Sequence, residues 1–122
     1  MTLPVYEPIE ELPITDVKAA LASDDPLQII RGLLSASNYA DDWQWAQQIS
    51  LDFLRNENDD VKSVCLTCLS DIARIHGILD REKVMPSLQA LAETDSPLAK
   101  EASEAIDEIE WYLANPPELD DE

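Results

Sequence analysis

Residues 61–77 read VKSVCLTCLSDIARIHG, and the meaning of its two cysteines, Cys65 and Cys68, decides the fold. A C-x-x-C pair is a redox couple when it accompanies a βαβ pattern, or half a metal site when further cysteines or histidines complete it. The chain has no third cysteine and a single histidine, His76, eleven residues after Cys65. No segment shows the sustained two-residue alternation of a strand. What the cysteines do share is a helix face with Val61, Leu69 and Ile72.

That face recurs. At a shift of 37 residues, Val61 falls on Leu98, Cys65 on Ala102, Cys68 on Ala105, Leu69 on Ile106 and Ile72 on Ile109. The preceding segments follow at the same shift, Leu51 on Leu88, Leu54 on Leu91 and Asn58 on Asp95. A weaker third copy places Ile29, Ile30, Leu33 and Leu34 some 35 residues before Val64, Cys65, Cys68 and Leu69. Where one copy has cysteine the other has alanine, so the position asks for a small side chain where two helices approach closely. Cysteine packs there as a small hydrophobe, and a reduced pair is expected.

The chain is therefore read as all-α, a short α-solenoid of about three helical hairpins. Polar cap residues mark the starts: Thr15, Asp24 or Asp25, Asp41, Asn58 or Asp59, Asp80, and Asp95 or Ser96, with Pro26 and Pro97 suited to first turns. Six helices follow, near 15–23, 25–37, 41–56, 59–76, 80–93 and 96–114. Residues 1–13, with Pro4, Pro8 and Pro13, form an extended leader; 14–114 form the repeat domain; 115–122, NPPELDDE, form an acidic flexible tail.

Charge narrows the function. Of the 122 residues, 26 are Asp or Glu and 8 are Lys or Arg, a formal charge of -18, while 45% are apolar, so the acid decorates a chain able to fold. After Lys100 there are nine acids and no base. Such a field repels nucleic acid and anionic membranes and steers basic proteins inward, so direct nucleic-acid or membrane binding is not expected. No run approaches the roughly 18 apolar residues of a membrane span, and the N-terminus has acids where a secretory signal carries positive charge. A cytoplasmic location is expected.

The hairpins resemble HEAT repeats. In that family the first helix often holds a proline within an apolar run, as in VMPSLQAL at 84–91, followed by an acidic turn and a second helix patterned as Val-Arg, small residues, then Leu. VKSVCLTCLSDI at 61–72 follows this with Lys62 for the arginine; PLAKEASEAIDEI at 97–109 has Ala99 in that place and Lys100 one residue late. More narrowly, the order of segments, and above all ARIHGILD at 73–80 and AIDEIEWYL at 105–113, resembles small bacterial immunity proteins of polymorphic toxin systems, including contact-dependent growth inhibition (CDI). That resemblance implies an immunity protein that binds and neutralises a toxin domain. The charge implies that the toxin is basic, with a nuclease the expected class. The alternative is a HEAT-type scaffold joining other proteins.

In a HEAT stack the second helix of each hairpin lines the concave face. The repeat register then presents Thr67, Ser70, Asp71 and Arg74 from the fourth helix and Glu104, Asp107, Glu108 and Trp111 from the sixth. Carboxylates there suit bidentate pairing with arginine, and Trp111 suits an anchor. The other reading of the strip is a solvated helix face with Trp111 closing the end of the core. Trp43 and Trp45 lie two apart on the third helix and cannot both face the core, so one of them, Trp43 among the candidates, is expected at the surface. Asp59 and Asp60 add adjacent acids at a helix start. No spacing suggests a nucleophile with its base, and no cofactor or metal set is evident, so a non-enzyme acting as a monomer in a 1:1 complex is expected.

Overall fold

The computed structural model describes residues 9–117. Within them the chain forms α1 (Ile14–Leu21), α2 (Pro26–Tyr39), α3 (Trp43–Phe53), α4 (Asp59–His76), α5 (Arg81–Ala92) and α6 (Ala99–Ala114), with no strand among the described residues. The expected all-α class holds. Among the described residues no helix is long and apolar enough to cross a membrane.

Each odd-numbered helix packs against the even-numbered one that follows it, and α2, α4 and α6 pack consecutively side by side. Helix α4 occupies the centre and is buried on two sides. Towards α2, Val61, Cys65 and Cys68 meet Ile29 and Leu33. Towards α5 and α6, Leu66, Leu69, Ile72 and Ala73 meet Val84, Leu88, Ala102, Ala105 and Ile109. The small residues at the repeat positions sit in these seams: Cys65, Cys68 and Ala102 are fully buried and Ala105 nearly so.

Both cysteines are free. The Cys68 thiol donates to the Leu33 carbonyl at 3.5 Å across the α2–α4 seam. Burial raises both thiols above their ordinary range, Cys68 to about 12, with Ser37 and Ser50 pulling it partly back through hydrogen bonds and the Asp71 carboxylate raising it again. Thiolate chemistry is thereby suppressed, and the pair is packing.

Four helix starts are as the caps dictate. Asp25, Asn58 and Asp80 accept backbone N–H groups of their own first turns, and Pro26 takes the first position of α2. In α3 the cap is Asp42 rather than Asp41, its carboxylate accepting from Trp45 N–H at 3.1 Å. Two starts differ. Helix α1 begins at Ile14, because the Pro13 carbonyl already accepts the amides of Asp16 and Val17, and Thr15 is not its cap. Helix α6 begins three residues late, at Ala99, because Ser96 and Thr94 spend their hydroxyls on a tight turn: Thr94 Oγ1 donates to the Leu91 carbonyl and accepts from Ser96 N–H, and Ser96 Oγ accepts from Leu98 N–H.

Two ends are tied down. Residues 9–13 of the leader lie along α2, where the Tyr39 hydroxyl donates to the Ile9 carbonyl at 2.7 Å, Leu12 N–H donates to Ser35 Oγ at 2.9 Å and Arg31 pairs with Glu10 at 2.8 Å. Residues 1–8 lie outside the described residues. At the other end Pro116 and Pro117 pack on Gly77, the left-handed cap of α4 with φ of 67°. The acids of the tail, 118–122, also lie outside the described residues.

Candidate functional site

Helices α4 and α6 run in the same direction, and Ser63 faces a residue 38 positions on, within one of the sequence shift: it donates its hydroxyl to the Glu101 carboxylate at 2.5 Å. Above that link the two helices enclose a groove of about 180 Å³, lined by Leu66, Thr67 and Ser70 from α4 and Glu101, Glu104, Ala105 and Glu108 from α6. Glu101, Glu104 and Glu108 stand three and four residues apart, so one face of α6 delivers all three carboxylates to one opening. Glu104 and Glu108 are exposed and enter none of the ion pairs found among the described residues.

The expected contact residues divide. Glu104, Glu108 and Thr67 are brought together in the groove, and Asp107 lies beside it, exposed on α6. Trp111 follows one turn after Glu108, is 60% exposed and stacks edge-on with Tyr112 at 5.5 Å. Ser70 was expected on the outer surface and is not there: it is 5% exposed, and its hydroxyl has no hydrogen-bond partner among the described residues. The reason is its placement between Leu69 and the α6 seam, where Ala105 lets the helices close.

Asp71 and Arg74 form a separate unit. The Asp71 carboxylate accepts from Arg74 at 3.0 Å and from the Asn38 amide of α2 at 3.3 Å, leaving its side chain 15% exposed while Arg74 stays open. Asp71 therefore links α2 to α4 as well as charging the surface. Asp59 and Asp60 occupy the first turn of α4, where carboxylates complement the helix dipole, about 16 Å along the axis from Ser70. They do not share the groove.

The tryptophans are placed differently from expectation. Both Trp43 and Trp45 are half-buried: Trp43 packs on the core formed with α5 and α6, and Trp45 turns towards α1 and α2. Trp45 lines a larger hollow of about 340 Å³, formed with Leu12, Ile14, Val17 and Tyr39 and edged by Glu11, Asp41 and Asp42. Nothing in the periodicity signals this hollow, because it needs the leader to fold back along α2. Glu101 was also missed, being one acid among many until Ser63 is seen to hold it.

The fold has a solved counterpart. A chain in the crystal structure of a CDI complex from Cupriavidus taiwanensis matches it with a TM-score of 0.79 and 28% identity, over 90% of this chain and 98% of that one. No family model and no curated protein matches the sequence. The likeness thus extends over nearly the whole of both chains.

Proposed function

We propose that this chain is an immunity protein of a contact-dependent growth inhibition system, which binds a cognate toxin domain and neutralises it. The observation that carries the reading is the whole-length likeness to a chain of a CDI complex. It converges with the sequence resemblance, which rests on other grounds. The charge assigns this chain to the neutralising side of such a pair: a protein of net charge -18 is a poor ligand for polyanions and an effective decoy for a surface that binds them.

The toxin is then a basic domain, and a nuclease is the class whose substrate groove an acidic surface mimics best. Docking is through the α4–α6 face, where Glu104, Asp107 and Glu108 lie together and Trp111 offers a large exposed anchor. Steering by the field speeds capture, and desolvated contacts at the centre slow release.

The test takes as its candidate toxin the C-terminal domain of any large secreted protein whose gene adjoins that of this chain. Mixed with that purified domain, this protein is expected to form a 1:1 complex whose association slows steeply with added salt and in which toxin activity is lost. A complex that leaves the domain fully active would make this chain a scaffold rather than an inhibitor.

A further inference from the structure

We propose that the α4–α6 groove is a socket for a single arginine side chain of the protein partner. The inference rests on the reading above for the identity of the partner, but its physical basis is the groove itself. Two observations point to a bound cation with several hydrogen-bond donors. Glu104 and Glu108 converge with Glu101 on one opening with no cation paired to any of them among the described residues, and like charges at this helical spacing repel. Independently, Ser70 lines the same groove, and its hydroxyl is buried and without a partner among the described residues. Buried hydroxyls are almost always satisfied, so this one marks a position that a ligand's polar group completes.

The shape selects guanidinium. A volume of about 180 Å³ lies below the roughly 300 Å³ at which small-molecule sites begin, and suits one side chain. The carboxylates share the α6 edge of the opening and do not form a metal-binding set among the described residues. A planar group with five N–H donors can reach two carboxylates one turn apart on the α6 edge and a hydroxyl on the α4 edge, which an ammonium point charge cannot do at once. Leu66 and Ala105 supply an apolar wall for the aliphatic stem.

The probe is N-acetyl-arginine methylamide, titrated at 150 mM salt into the 15N-labelled full chain and followed by amide shifts. Saturable shifts confined to Thr67, Ser70, Glu104, Glu108 and their neighbours are expected, with the citrulline analogue silent and the lysine analogue at least several-fold weaker. Ser70→Ala is expected to weaken the probe several-fold without lowering the melting temperature, and Glu104→Gln with Glu108→Gln to abolish saturation. Asp16→Asn with Glu93→Gln, remote and exposed, is expected to change nothing. Shifts spread over all the acids, an equal response to citrulline or lysine, or an unaltered response in the double glutamine variant would each overturn the socket. Failure here is separable from failure of the toxin reading: probe binding without toxin binding keeps the socket and removes immunity, and toxin neutralisation without probe binding does the reverse.

Discussion

The side-chain carbonyl of Gln47 accepts the backbone N–H of Asp80 at 2.8 Å, and Gln47 is itself 3% exposed. This one bond fastens α3 to the cap of α5, two helices that otherwise make little direct contact. Its removal leaves a donor with no replacement. Gln47→Met, close in volume, is expected to cost about 1–3 kcal/mol, the usual penalty for a stranded buried polar group. Denaturant unfolding followed by circular dichroism measures it; a change under about 0.5 kcal/mol would show that water replaces the amide.

The cysteine pair makes a prediction with a direction in pH. Burial lifts both thiols in the folded chain, Cys68 to about 12 against an ordinary 9.0. The unfolded chain therefore loses these protons first. Stability is fully present below pH 9 and falls between the unfolded and folded values, by about 1.4 kcal/mol per thiol for each unit of pH. Cys65→Ala with Cys68→Ala is expected to flatten that alkaline slope at a modest cost in stability near neutrality. Thiol reagents should react with the native wild-type protein only as fast as it opens.

Gly77 ends α4 with φ of 67°, and a Cβ built there would stand 2.8 Å from Pro117 Cδ and 3.0 Å from Pro116 Cβ. Gly77→Ala meets two penalties, the left-handed backbone and the proline contact. A loss of about 1–2 kcal/mol is expected from the backbone alone. Truncation after Asn115 should remove the second penalty and narrow the difference between glycine and alanine.

At the docking face, charge and anchor separate kinetically. Glu104→Lys with Asp107→Lys and Glu108→Lys is expected to slow association with the toxin domain by about tenfold or more, and to weaken its salt dependence. Trp111→Ala is expected to act on release, costing about 2 kcal/mol of binding while leaving stability within about 0.5 kcal/mol, since the ring is largely exposed. Surface plasmon resonance resolves the two effects.

The helical class, six elements and the packing role of Cys65 and Cys68 were legible because repetition reports a backbone environment twice. Ala102 and Ala105 reveal what Cys65 and Cys68 are for without any structure. Periodicity also placed Glu104, Glu108 and Trp111 on the outward side of α6. It failed at Ser70 and Trp43, where the outcome depends on how closely two particular helices approach and on which half of a face a neighbour covers. The late start of α6 was hidden for another reason. Thr94 and Ser96 have the chemistry of caps, and only the three-dimensional turn decides which amides they serve. Gln47 and Asn38 carried no signal, because a buried amide that bonds a distant segment looks in sequence like any surface amide.

The most direct measurement is survival. Cells expressing the candidate toxin domain from one promoter and this chain from another should die without the second protein and grow with it, and the two proteins should purify together. Cells that die equally with and without this chain, at matched toxin levels, would contradict the account.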